Sequence, residues 1–252
     1  RPISRASRSR WARALVASLV SVRLFELAAL LLWLAGVEFV RRHPKPLYIG
    51  AYAGSSTLFC FDWAFNSKWF FNVRYSAHFL PLFRIHGEVQ PIALTLTYAF
   101  YFGGPLLVAV HHRAWIDRHM GSRGWVAVFV ISGLVNPLFE IPLVHWLHLW
   151  TYYQRPGFLF GGVAWSNVWF SGMLFTTCYA AIRLGLRWTT VGAPEVAVSD
   201  RADSPVLPER ERWWRDALLG TGAIWSSFYA CMALQLIWYA VAQPWAFSPR
   251  PF

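Results

Sequence analysis

The stretch SLVSVRLFELAALLLWLAGVEFV, residues 18–40, decides the class of fold. Its apolar residues form one block, with neither a period of 2 nor a period of 3.6. It exceeds the about 20 residues that an α-helix needs to cross a bilayer. Its only charges are Arg23, Glu26 and Glu38. Arg23 and Glu26 lie three apart and can pair along one helix face, and Glu38 can pair likewise with Arg41 or Arg42. The basic RPISRASRSRWAR before it gives the look of a signal sequence. The run nevertheless stays apolar to Val40, which is too long for a cleaved core and suits an anchor. The whole segment, 15–40, is longer than a bilayer requires and is expected to tilt or to lie partly in the interface.

Five further apolar segments follow outward from it, at 47–65, 92–111, 125–149, 166–186 and 217–241. The expected fold is an all-α, polytopic transmembrane bundle of about six spanning helices, forming a single domain over 1–252. A basic segment covers 1–14. A solvated connector rich in acids and prolines covers 187–216, with Trp213 and Trp214 at headgroup level where the chain re-enters. Gly103, Gly104 and Pro105 are expected to kink the third segment, and Pro137 and Pro142 disturb the fourth.

Composition agrees with this class. Charged residues make up 14% of the chain and hydrophobic ones 56%, against about 25% charged in soluble domains. A net charge of +11 would point to nucleic acid in a soluble protein. Here the basic residues sit in short tracts beside apolar segments, as in RRHPK at 41–45, so the expected partners are anionic membrane lipids and not nucleic acid. Lys and Arg are spread over both sides of the bundle and do not choose its orientation. Cys60, Cys178 and Cys231 lie far apart inside apolar segments and read as small core residues.

Chemistry is expected where acids enter the apolar segments. FCFDWAFNSKWFFN, residues 59–72, places Asp62 among aromatic residues, with Trp63 beside it, Asn66 one turn on and Asn72 beyond. The fourth segment runs into GLVNPLFEIPLVHWLHLWTYYQRPGFLFGG, residues 133–162, where Glu140 is the only acid. The second and fourth segments end on the same side of the membrane, so Asp62, Glu140 and the loops 66–91 and 150–165 share that side. Ideal helices put Asp62 with Asn66 on one face, and Asn136 with Glu140 and His148 on another. Tyr152 and Tyr153 follow in the loop, and Trp165, Asn167 and Ser171 can line the same side from the fifth segment. An ionisable group in hydrocarbon costs about 2.5–3.5 kcal/mol on insertion scales, so these acids should face the bundle interior. A buried carboxyl kept neutral can donate a proton and an ionised neighbour can accept one. The catalytic candidates are Asp62 and Glu140. Asn66, Asn72, Asn136, His148, Tyr152, Tyr153, Trp63 and Trp165 are the candidates to bind or orient an apolar substrate arriving from the bilayer. No cofactor is expected. The structural reading is that these groups are polar glue between helices, at about 0.6 kcal/mol per hydrogen bond.

Histidines raise a metal reading, because His145 and His148 form an HxxH near Glu140 and near the loop 78–88. The repeated HxxxH or HxxHH boxes of membrane di-iron enzymes are missing, and His111 and His112 fall at the opposite end, so no metal site is expected. GFLFGG, residues 157–162, lacks the Lys-Ser/Thr ending and the strand context of a phosphate loop.

The order D-W-x-F-N…N over 62–72, a Gly-Pro third segment, then NPLFE…LWTYYQRPG…GGVAW resembles the AveC-like spirocyclases, a family of actinobacterial integral-membrane proteins. In that family's pattern an Asp is followed by Asn four residues later and by another Asn shortly after. A later helix carries D-x-x-x-E before a loop that holds a Tyr ahead of a Pro-Gly pair. Asp62, Asn66 and Asn72 match the first motif; Glu140, Tyr153, Pro156 and Gly157 match the second, with Asn136 standing where the pattern has Asp. The likeness covers 50–188. It implies spiroketal formation from a dihydroxyketone with loss of water, without a cofactor, in a bacterial cytoplasmic membrane. A membrane terpene cyclase that protonates an epoxide or alkene from a buried acid is the alternative enzyme. A lipid-binding membrane subunit is the alternative without catalysis. A transporter fits less well, since the segments show no repeat.

Overall fold

The structure is a computed structural model that describes residues 5–61, 72–85, 88–189 and 208–246. The chain is mostly helical. Helix α1 (Arg5–Arg42) contains the apolar run 18–40. Arg23 pairs with Glu26, and Glu38 accepts from Arg41 at 2.6 Å and from Arg42 at 2.8 Å, so these charges are neutralised within one helix. Four helical stretches are long and apolar enough to cross a membrane: Ser18–Arg42, Ile92–His111, Arg123–Trp146 and Glu209–Ala242. Large apolar side chains such as Leu31, Ile131, Leu138 and Ile237 are exposed on their outer faces.

Two of the six expected crossings do not meet both criteria. The second is described as α2 (Pro46–Thr57) and a 3-10 turn, Leu58–Phe61, beyond which the expected segment lies outside the described residues. The 12 residues of α2 span about 18 Å, short of the about 30 Å of a hydrocarbon core. The fifth expected crossing is the 23-residue helix Ser166–Trp188, which is long enough but carries Arg183 and Arg187. Arg183 reaches Asp117, in the short helix Arg113–Met120, at 2.6 and 2.9 Å.

Short β-ribbons also replace the strictly all-α expectation. β1 (Val73–Tyr75) pairs antiparallel with β4 (Trp150–Tyr152), in the register Val73↔Tyr152 and Tyr75↔Trp150. This ribbon ties the loop after the second segment to the loop after the fourth, the two that segment parity assigns to one side. β2 (Pro81–Ile85) pairs with β3 (Glu88–Pro91), and β5 (Leu159–Phe160) with β6 (Val163–Ala164). The β5–β6 turn is Gly161–Gly162 with φ of +58° and +84°, the left-handed backbone that a two-residue type I′ turn needs at both positions. GFLFGG is thus a hairpin, seated on Ile141 just past Glu140.

Prolines reshape the third and fourth segments. The third is α3 (Ile92–Tyr98), a π-helical turn (Ala99–Gly103) and α4 (Gly104–His111). Pro105 has no N–H to give the Tyr101 carbonyl, and the Gly104 N–H reaches back five residues to Ala99. A short helix α5 (Arg113–Met120) follows, then α6 (Arg123–Ile141), with Pro137 inside it, and a second π turn at Pro142–Trp146. The Leu147 N–H bonds the Pro142 carbonyl at 3.1 Å, and the chain leaves the helix at His148 with φ +51°.

Small residues set the helix contacts. The last two helices are α7 (Ser166–Trp188) and α8 (Glu209–Ala246). A Cβ on Gly50 of α2 would fall 1.7 Å from the Ala217 carbonyl oxygen of α8, and one on Gly220 would fall 2.1 Å from the Leu47 oxygen. Thr221 seals this contact by donating to the Gly50 carbonyl at 2.9 Å. Gly133 of α6 abuts Val168, and Gly172 of α7 abuts Phe129, which brings α6 and α7 close along the face that carries Glu140. The expected connector 187–216 is narrower than read, because helix reaches Trp188 and resumes at Glu209; residues 190–207 lie outside the described residues. Asp216 is buried against Arg215 at 3.0 Å.

Candidate functional site

Glu140 is the next-to-last residue of α6, partly buried, where α7 and the β1–β4 ribbon close over it. Three donors converge on its carboxylate. The Tyr152 hydroxyl donates to Oε2 at 2.6 Å, and Asn136, one turn earlier on α6, donates its Nδ2 to Oε1 at 3.1 Å. Asn167, in the first turn of α7, offers Nδ2 to both carboxylate oxygens at 3.2 Å and to the Tyr152 oxygen at 2.8 Å. The Tyr152–Glu140 distance falls in the about 2.5–2.7 Å range of charge-assisted O–H···O bonds. Burial first, and the Glu140 carboxylate second, lift the Tyr152 phenol well above its ordinary range, so it stays a protonated donor.

This group forms one wall of a cavity of about 100 Å³. Among the described residues no Lys or Arg lines it; aromatic side chains, among them Tyr75, Tyr98, Tyr101, Phe139 and Trp150, make most of the remainder. Among the described residues, two polar atoms in the lining lack a partner. The Asn136 Oδ1, on a residue only 3% exposed, accepts no hydrogen bond. The Tyr101 hydroxyl stands beside Ser171 and Asn136, yet no hydrogen bond of ordinary geometry satisfies it. An acceptor and a hydroxyl left open in a buried cavity beside a carboxylate match a ligand that carries its own oxygens.

Of the residues expected at the site, Glu140, Asn136 and Tyr152 meet. Asn72 does not line the cavity. Its Nδ2 donates to the Tyr153 carbonyl at 2.8 Å, its own carbonyl accepts from the Tyr153 N–H at 2.9 Å, and its φ is +52°. It extends the β1–β4 pairing and so positions Tyr152. Tyr153 turns its ring to the Arg74 guanidinium, 5.5 Å from the ring centroid. His148 is exposed, because the π turn after Ile141 ends the helical repeat on which its alignment with Glu140 rested. Trp165 packs edge-on against Trp238 of α8, away from Glu140. Asp62, Trp63 and Asn66 lie outside the described residues. His145 is exposed like His148, and among the described residues no three His, Cys, Asp or Glu side chains gather into a metal-binding group.

The sequence reading gave Asn167 a lesser place than its contacts warrant and passed over Tyr75, Tyr98 and Tyr101. Tyr101 had a signal: it stands four residues before Pro105, where a proline disturbs the preceding helical turn. Gln235 is buried near a second network in which Gln154 and Ser166 meet the Tyr239 hydroxyl at 3.0 and 2.6 Å. That network anchors the loop before α7 to α8. Comparison with family models, with curated proteins and with solved structures yields no match for this chain.

Proposed function

We propose that the chain is an integral-membrane enzyme performing cofactor-free acid–base chemistry on an apolar, oxygen-bearing substrate, with cyclisation to a spiroketal as the favoured reaction. The observation that carries this is the Glu140 carboxylate, held by Tyr152, Asn136 and Asn167 at the wall of an aromatic cavity whose Asn136 Oδ1 and Tyr101 hydroxyl are open. Four apolar helices support the membrane assignment, and α2 with its continuation and α7 complete six crossings in this reading. A bacterial cytoplasmic membrane is the compartment the family resemblance implies.

In a dihydroxyketone, one hydroxyl adds to the carbonyl to give a hemiketal. Glu140 takes the proton of the attacking hydroxyl and passes it to the carbonyl oxygen, which becomes the hemiketal hydroxyl. A second proton, from the acid partner proposed below, lets that hydroxyl leave as water, and the second hydroxyl then closes on the oxocarbenium ion and returns its proton to the same acid. Tyr152 stays a neutral donor throughout, and Tyr101 and Asn136 hold substrate oxygens. Asp62 is the proposed second acid, on the likeness of 62–72 and 133–157 to the AveC-like spirocyclases.

The aromatic lining supports a second reading, terpene-type cyclisation, in which Tyr75, Phe139 and Trp150 stabilise a cation. Untargeted mass spectrometry on a host with and without the protein, alongside Glu140→Gln and Asp62→Asn, tests both. A product lighter by one water, lost in both variants, supports spiroketal formation; one isomeric with its precursor supports the terpene reading. No change of metabolites with folded protein sinks both and leaves a lipid-binding subunit.

A further inference from the structure

A larger apolar groove of about 780 Å³ adjoins the Glu140 cavity. It runs between α1, the α3–α4 pair and α6, with walls such as Leu32, Pro105, Val108, Ala127 and Ile131, and among the described residues no charged side chain lines it. Tyr101 and Phe139 belong to both linings, with ring centroids 5.6 Å apart. Tyr101 sits in the π turn that Pro105 imposes, a feature frequent at functional sites.

The two compartments differ in size and polarity in complementary ways. The cavity of about 100 Å³ equals the liquid volume of about three waters, enough for a hydroxyl or carbonyl and a few carbons. The groove falls within the about 300–1,000 Å³ range of small-molecule sites. Ser132, a hydroxyl in the groove wall, is satisfied on the Val128 carbonyl at 2.6 Å. The open polar atoms, the Tyr101 hydroxyl and Asn136 Oδ1, lie at the shared wall and in the cavity. A lipid chain in the groove alone would leave both open.

From this shared wall we propose that the substrate is an amphiphile: its long apolar chain lies in the groove, and its oxygen-bearing head passes Tyr101 and Phe139 to reach Glu140. The assignment rests on the reading of the Glu140 cavity as a reaction site. The full chain in nanodiscs would be photolabelled with hexadecan-1-ol carrying a mid-chain diazirine, and with hexadecane carrying the same group. The alcohol is expected to label residues 104–109 or 124–135 about tenfold more than the alkane, one head-group hydrogen bond being worth about that factor. Ile131→Trp, at an exposed wall position, and Ala127→Trp should each reduce this labelling, while Glu140→Gln should keep most of it and lose turnover. Equal labelling by the alkane, or labelling elsewhere, overturns the proposal: the groove then holds ordinary lipid chains only. If turnover still requires Glu140 in that case, the reaction site stands without the amphiphile. Groove labelling with Glu140→Gln turning over normally sinks the reaction-site reading, and the substrate assignment with it.

Discussion

The hydrogen bond between Tyr152 and Glu140 separates a built site from helix glue by its size. Polar contacts inside membrane proteins average about 0.6 kcal/mol, whereas hydrogen bonds to charged groups contribute about 1.5–3 kcal/mol. The Tyr152 hydroxyl donates to Oε2 at 2.6 Å and accepts from Asn167 at 2.8 Å. In Tyr152→Phe both bonds go, but Asn167 Nδ2 keeps the carboxylate at 3.2 Å, so no donor there is orphaned and the loss falls on the short bond. The expected cost is about 1.5–3 kcal/mol. A double-mutant cycle of Tyr152→Phe with Glu140→Ala isolates the pair, because each single change removes the same contact, which a glutamine would keep through its carbonyl oxygen. Reversible unfolding in mixed micelles titrated with SDS and followed by tryptophan fluorescence gives the four stabilities. A coupling of about 1.5 kcal/mol or more is expected. A coupling near or below about 0.6 kcal/mol would refute the charge-assisted geometry and return Glu140 to the role of helix glue.

Four other outcomes follow. Glu140→Gln should fold and insert as wild type while its turnover falls by about 10²-fold or more, measured as product formed in membranes. Asn72→Ala should lose about 2–3 kcal/mol in the same unfolding assay, combining a lost bond to the Tyr153 carbonyl with a side chain at φ +52°; Asn72→Gly should lose about 1 kcal/mol. Gly50→Ala should cost about 1–3 kcal/mol or more, since its Cβ meets the Ala217 backbone, while Gly222→Ala, which meets nothing within 4 Å, should be neutral or stabilising by up to about 1 kcal/mol. The Arg183 guanidinium holds the Asp117 carboxyl below its usual range, so the ion pair's contribution is full above about pH 4 and is lost as pH falls through the lowered value. The stability difference between wild type and Asp117→Asn should therefore be present at pH 7 and close on acidification; a difference that does not change with pH would exclude the ion pair as its source.

What the sequence determined by itself was the apolar character of the long helices and the neighbourhood of the Glu140 cavity. Blocks such as 18–40 and 92–111 exceed what a soluble core demands, and a lone Glu140 in an apolar segment has to face inward, whatever the tertiary arrangement. Asn136 and Glu140 at i,i+4 meet because α6 stays helical between them. Local charge pairs such as Arg23–Glu26 were equally legible, being set by one helix. The rest depended on contacts distant in sequence. Asn167 reaches Glu140 because Gly133 and Gly172 let α6 and α7 approach, and Tyr152 reaches it because β4 pairs with β1 under the hold of Asn72. His148 was misplaced because periodicity presumes an unbroken helix, and Pro142 breaks it into a π turn. The GAYAG stretch at 50–54 already held the close contact of α2 with α8, but only the position of Ala217 and Thr221 showed which helix those glycines serve. Spacing along a chain sets what one helix displays; which helix stands opposite is set by packing.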